Sequence, residues 1–344
     1  VLESVEAVED ERRHAPTGCP DPEHPAGFSR AFAIARRAHL NHCPTRPPQR
    51  AGRRCRHRSA GGYGSGVVDL HVHSNVSDGS DSPERLVEIA AQTGLSALAL
   101  TDHDRQDGVA RAAKKAAEVG LELVPGVEIS CEHQGTMHLL VYFLEPGQGP
   151  LQDELVRLQR SREARNERLV ARLAELGLPV SMDELLAESG GTGAGRPHVA
   201  AILVRKGYAS SVQDAFDRYL AKGAPAYIDK ERLEPAAAIS LARQSRALPV
   251  LAHPLSLGLA PAETERLVGE LAEAGLAGLE AIYGRYDQAE RASLAVMAAH
   301  AGLAVTGGSD YHGTYKPDLS LGTGRGDLHV PDGALAALRD RLER

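Results

Sequence analysis

Within residues 67–78, VVDLHVHSNVSD, two histidines stand two residues apart where a run of strand formers meets a turn. Residues two apart in a strand point to the same face, so His71 and His73 project side by side. Asp78 follows beyond a turn rich in Ser and Asn. Two neighbouring imidazoles with a carboxylate just beyond are the start of a divalent-metal site. A single His-x-His is more often a polar strand end. Here the arrangement returns: His103 in TDHD, Glu128 in PGVEIS, His138 in MHLLVYF, His253 in AHP, and Asp310 with His312 in GGSDYH. Each falls at or near the end of a segment that reads as a strand. Unrelated surface histidines would have to recur independently at six strand ends; one shared site accounts for them together. His133, His300 and His329 lie off this pattern and read as surface groups.

Such residues need a scaffold that gathers strand ends. From Val67 onward, strand and helix patterns alternate. Strands are expected at Ala97–Leu100, Leu121–Ile129, Met137–Phe143, Leu248–Ala252, Gly278–Tyr283 and Leu303–Thr306, with amphipathic helices between most of them. Ser82-Pro83-Glu84 is a helix start, with Ser82 as cap and Pro83 in the first turn. The alternation predicts a parallel sheet with helices outside. If the sheet closes into a barrel, the carboxyl ends of its strands form the active face, and the ligand-type residues converge there. The middle differs. A long Arg- and Glu-rich helix is expected over Leu151–Leu176, shorter helices follow, and no strand is expected between 150 and 224.

Composition sets the class. Hydrophobic residues make up 42% and charged residues 25% of the 344, ordinary values for a globular protein with a sizeable core. Residues 1–60 hold eleven Arg, no Lys and seven Asp or Glu, a charge of +4, which leaves −11 of the total −7 for the rest. An acidic body is not a general nucleic-acid surface, so duplex DNA is not an expected partner. There is no bilayer-spanning apolar run and no secretory h-region, and four scattered Cys suggest no disulfide framework; a cytoplasmic setting is expected. Residues 1–66 read as a disordered Arg/Pro-rich tail ending in a Gly-rich linker. His42-Cys43 and Cys55-x-His57 match no common zinc spacing.

The ordered motifs DLHVHSNVSDG, TDHD, PGVEIS, MHLLVYF, AHP and GGSDYH resemble the PHP (polymerase and histidinol phosphatase) superfamily, over residues 67 to about 330. The resemblance implies an α/β fold, a distorted (βα)7 TIM-like barrel with a helical insertion. Residues 67–144 and 225–344 would form the barrel and 145–224 the insertion, or cap. It also implies up to three divalent metals. His71, His73, Glu128 and Asp310 would hold the first. Glu128 as a bridge, with His138 and His253, would hold the second. Asp78, His103 and His312 would hold the third. A ligand set of imidazole and carboxylate suits manganese, with zinc or iron as alternatives, better than magnesium or calcium. Asp69, Asp102 and Asp104 are expected to orient the histidines from behind.

The insertion, with Gly195-Arg196-Pro197-His198, looks like the subgroup that acts on 3′,5′-nucleoside bisphosphates, some of whose members also trim short RNA from the 5′ end. A hydroxide bridging the metals would be the nucleophile, and the substrate a small phosphorylated nucleotide or short RNA. Arg196 is the candidate contact for a second phosphate, because guanidinium can grip phosphate bidentately. His198 is a candidate substrate contact or proton donor. Histidinol-phosphate phosphatase and an inactive binding protein are the alternatives. No polymerase palm or fingers pattern follows the barrel motifs.

Overall fold

The computed structural model describes residues 66–191 and 193–344. The expectations for the basic tail and its His/Cys pairs lie outside the described residues. Seven strands form one sheet in sequence order: β1 (Val68–Val72), β2 (Ala97–Leu100), β3 (Glu122–Cys131), β4 (Met137–Tyr142), β5 (Leu248–Leu251), β6 (Gly278–Tyr283) and β7 (Ala304–Gly308). The outer helices are α1 (Pro83–Gln92) and α2 (Val109–Val119). Between β4 and β5 come α3 (Pro150–Glu175), α4 (Met182–Glu188), α5 (Arg196–Arg205), α6 (Val212–Ala215) and α7 (Pro235–Gln244). The last are α8 (Pro261–Glu273), α9 (Gln288–His300) and α10 (Asp332–Leu342). Ser82 caps α1 as expected, its hydroxyl accepting the Arg85 N–H at 3.2 Å.

The sheet curls into a nearly closed barrel. The His73 N–H donates to the Tyr311 carbonyl at 3.0 Å, and the Asp310 N–H donates to the His71 carbonyl at 2.8 Å, which joins β1 to the chain after β7. Gly308 makes this approach possible: a Cβ there would lie 2.4 Å from the Cβ of His71. Inside, Val68, Leu70, Leu140, Tyr142 and Val250 pack into one core, which Leu335 and Leu338 of α10 extend. On the outer face, Leu98 and Leu100 pack on α1 and α2, and Leu139, Val141 and Leu251 on the helices of the other side.

One expectation is corrected. Neighbouring strands are parallel except at β4, which runs antiparallel to both β3 and β5. Residues 132–136 return the chain as a hairpin from β3, too short a link for a crossover to a parallel strand. His138, at the beginning of its strand as the sequence places it, therefore reaches the same rim as the end of β3.

Between β4 and β5 no strand occurs among the described residues. β4 finishes at the floor of the barrel, so α3 must climb the barrel wall to bring the chain back to the mouth. Its 26 residues span about 39 Å at 1.5 Å per residue. Leu151, Leu155 and Leu158, in its first half, belong to the barrel core. Leu169 and Leu173, in its second half, pack instead with Leu185, Val199, Ile202, Leu203 and Leu220 in a separate helical core. Packing thus changes hands in the middle of α3, later than the boundary expected near residue 145. The glycine-rich link before α5 lies against the turn after β1: Gly193 has φ +64°, and a Cβ there would meet the Val76 carbonyl oxygen.

Candidate active site

The nine side chains expected to hold metal converge at the barrel mouth. Potential ligand atoms of His71, His73, Glu128 and Asp310 all lie within 4.8 Å of one another; the same holds for His73, Asp78, His103 and His312, and for His103, Glu128 and His138. His253 joins them, with Nε2 3.0 Å from Glu128 Oε1. Glu128 is the hub, within 3.3 Å of nitrogens of His71, His73, His103, His138 and His253. Three residues at this mouth, Asp104 (φ 54°), His253 (29°) and Asp310 (56°), have left-handed backbones, a strain of about 1–3 kcal/mol each. The surrounding structure holds these turns so that the side chains aim inward.

The hydrogen bonds fix how several imidazoles present themselves. His71 Nδ1 faces Glu280 Oε1 at 2.9 Å, and His312 Nδ1 faces the Asp310 carbonyl at 2.9 Å. Both partners are acceptors, so these nitrogens carry the protons and donate. His253 Nδ1 donates to Ser256 Oγ at 2.8 Å, since that hydroxyl spends its own proton on the Thr136 carbonyl. In all three rings Nε2 is then the nitrogen that faces the carboxylates and would ligate a metal. His73 Nδ1 and His103 Nδ1 are buried with no hydrogen-bond partner. Orphaned lone-pair donors beside ionised carboxylates fit a cation. Burial opposes ionisation of Asp78, Glu128 and Asp310, yet the imidazoles around them, and Lys316 beside Asp310, hold all three well below the usual carboxylate range. Burial, with His312 nearby, lowers His73 to about 4, which keeps it neutral.

The supporting shell differs from expectation. Asp69, Asp102 and Asp104 do not touch the histidine rings. Asp69 accepts the backbone N–H groups of His71, Ser309 and Gly322, and Asp102 accepts from Ser74 and Ser77. Asp104 binds Arg162 at 2.5 Å and Lys230 at 2.8 Å. All three shape loops. The groups that orient ligands are Glu280, Tyr283 and Lys316, which the sequence reading missed. Glu280 is fully buried, and besides His71 it accepts the His253 N–H at 2.8 Å. Tyr283 and Lys316 both donate to Asp310 Oδ2, at 2.7 and 2.6 Å, leaving Oδ1 to face His71 and His73. A lone Glu inside the apolar run Gly278–Tyr283 was the available signal for Glu280.

Three cavities border the cluster and share His138 as a wall. The smallest, about 130 Å³, lies under the insertion and is lined by Arg162, Arg165, Arg196, Lys230 and Arg232 together with Asp78 and His103. Arg165 is 3% exposed, has no ion-pair partner among the described residues, and its Nε has no hydrogen-bond partner. Burial and the neighbouring Arg162 and Arg196 lower its pKa to about 9. Arg196 lines this wall, flanked by Phe216 and Tyr227, with one nitrogen donating to the Leu220 carbonyl. His198 does not line any of the three cavities. It is 1% exposed, and its Nδ1 accepts the Gly195 N–H at 2.9 Å, which closes the first turn of α5. The signal for Arg165 was its position: residues 151, 155, 158, 162, 165, 169 and 173 trace the inward stripe of α3, where leucine stands at every position but 162 and 165. Of the remaining histidines, His300 and His329 are exposed as expected, whereas His133 is half-buried and lines another of the three cavities, of about 460 Å³.

A seven-stranded barrel with a buried histidine–carboxylate cluster at its mouth is the architecture of a metal-dependent hydrolase. Comparison with known proteins agrees. The PHP domain model matches residues 69–228. The 5′-3′ exoribonuclease Rnm of Escherichia coli strain K12 is 33% identical over 250 residues, covering 72% of this chain and 85% of that protein. The 3′,5′-nucleoside bisphosphate phosphatase of Chromobacterium violaceum is 30% identical over 247 residues, 71% of this chain and 87% of that protein. A crystal structure of a protein described as a metal-dependent phosphoesterase from Bifidobacterium adolescentis superposes with a TM-score of 0.72 at 29% identity, covering 81% of this chain and 98% of that one. The chain belongs to the PHP family, and it is a metal-dependent phosphoesterase. Among the described residues no helix is long and apolar enough to cross a membrane.

Proposed function

We propose that the chain removes the 3′-phosphate of nucleoside 3′,5′-bisphosphates, and that the same site trims short RNA from a 5′-phosphorylated end. The observation that carries this is Arg165. An unpaired buried guanidinium is costly, by about 3–5 kcal/mol where a buried pair is broken, unless an anion completes it. It lies among four further cations beside the cluster, in a cavity of phosphate size. A substrate with two phosphates satisfies both places at once. Binding energy from the non-reacting phosphate then positions the reacting one.

Metal would be held by His71, His73, Glu128 and Asp310; by Glu128, His138 and His253; and by Asp78, His103 and His312, with manganese favoured by the donor set. Ions there supply Lewis acidity and lower the pKa of water toward neutrality. Glu280, Tyr283 and Lys316 fix the ligand orientations. Residues 145–224 act as a cap that contributes Arg162, Arg165 and Arg196, while His198 acts by setting the turn before α5 and not by touching substrate. The two names among the relatives support a nucleotide or short RNA as substrate. Histidinol phosphate fits less well, because its ammonium group would face five cations.

The test is phosphate release by manganese-loaded protein from adenosine 3′,5′-bisphosphate, histidinol phosphate and a generic aryl phosphate. The bisphosphate should exceed both others in kcat/KM by tenfold or more. A preference for histidinol phosphate would overturn the assignment.

A further inference from the structure

The bisphosphate reading leaves two of the three cavities unused, and one of them borders His103, Glu128, His138, His253 and Asp310. It encloses about 490 Å³. Most of its wall comes from the segments after β5, β6 and β7, and His103, Thr136 and His138 complete it. The arginine cavity is built mainly from the insertion and residues 227–232, and the two cavities meet at His103 and His138. Arg285 and Arg325 stand on the wall of the larger cavity. Both pair with Asp318, at 2.9 and 3.1 Å, so two guanidinium groups share one carboxylate, and Glu290 is the other acidic group on the wall. Leu255, 40% exposed, and Tyr286 give it an apolar side. Cationic groups beside an apolar surface suit a nucleoside followed by another phosphate. A phosphate monoester has nothing to place there.

We infer that this cavity receives the remainder of a nucleic-acid chain, attached to the reacting phosphate through its 5′ oxygen, with Arg285 and Arg325 on the next phosphate. The assignment rests on the bisphosphate reading above, because it takes the 5′-phosphate of the first nucleotide to occupy the arginine cavity. Water adds to phosphorus and the P–O3′ bond breaks. O3′ takes a proton and leaves with the first nucleotide. The phosphate stays on the second nucleotide as its new 5′-phosphate, so one water is consumed per nucleotide released. The shortened chain is again a 5′-phosphorylated substrate. The reaction that supplies it must therefore leave 5′-phosphate ends, as hydrolysis at P–O3′ does.

The experiment compares kcat/KM on adenosine 3′,5′-bisphosphate and on a 5′-phosphorylated tetraribonucleotide, for the wild type and Arg285→Ala/Arg325→Ala. The double variant should lose tenfold or more on the tetranucleotide, mainly in KM, and stay within twofold on the bisphosphate. Leu255→Trp, at an exposed position where folding is little disturbed, should narrow the cavity and give the same split. Equal losses on both substrates in Leu255→Trp, or no loss on the tetranucleotide in either variant, would overturn the subsite. Wild type that cleaves the bisphosphate but not the tetranucleotide overturns the subsite and the RNA-trimming activity, and leaves the bisphosphate reading standing. Wild type inert toward both sinks the bisphosphate reading as well.

Discussion

The metal cluster and the arginine cavity share a wall at His103 and His138 but are built on opposite principles. In the cluster, carboxylates sit among imidazoles, and groups such as Glu280, Tyr283 and Lys316 fix the ligands from behind. In the cavity, cations outnumber carboxylates, and Arg165 is left without a partner. The first is complete apart from a cation, the second apart from an anion. On the proposed function, the barrel supplies the chemistry common to phosphate esters, and the insertion supplies the choice among them. That division can be tested by asking which substrates each half affects.

The largest effect is expected on the cluster side. Glu128→Ala removes the carboxylate that five histidines share. Hydrolysis of every phosphate ester should fall by about 10²–10³ or more, the usual cost of losing a preorganised charge partner. Bound metal, measured by elemental analysis, should fall with it. A variant that lost only bisphosphate activity would break the division.

Arg165→Met should act selectively. Activity on the bisphosphate should drop by about 1.5–3 kcal/mol in kcat/KM, while a generic aryl phosphate is cleaved nearly as before. Replacing an unpaired buried charge with an apolar side chain of similar length should also raise the melting temperature. Arg196→Ala should show the same substrate split with a lower melting temperature, because Arg196 packs on Phe216 and Tyr227 and bonds the Leu220 carbonyl. Equal loss on both substrates would make these arginines structural.

The smallest effect concerns pH. Burial and the nearby Arg162 lower Lys230 to about 8, against the opposing pull of Asp104. Below that pH it is charged and the cavity is at its most cationic; as pH rises through about 8 it loses its proton. KM for the bisphosphate should therefore rise several-fold above pH 8, and KM for an aryl phosphate should not follow. Lys230→Gln should flatten the difference. A rise shared by both substrates would place the titration in the cluster instead.

The same division separates what was legible in the sequence from what was not. The ligands are read from strand periodicity, because a two-residue repeat and the turn after each strand determine where side chains point. His138 shows the limit: its type was readable, but the reversal of β4 depended on a short hairpin link. Asp102 and Asp104 lie beside ligands in sequence and yet serve loops, whereas Glu280 lies far from His71 in sequence and touches it. Partners of that kind are set by tertiary packing, which local pattern does not encode. Arg165 was visible as a charged residue on a leucine stripe, but its meaning required the cavity.

The reversal of β4 also constrains insertions and deletions. Because α3 leaves from the floor and runs unbroken to the mouth, Leu151, Leu155 and Leu158 anchor the same rod that presents Arg162 and Arg165. Adding or removing one residue between Leu158 and Arg162 would rotate the upper half by about 100°, at 3.6 residues per turn. Both guanidinium groups would swing out of the cavity, although no residue touching substrate had been exchanged. Length changes in this segment should be tolerated only in whole turns of the helix, while the exposed link at Gly190-Gly191, beyond the rod, carries no such requirement.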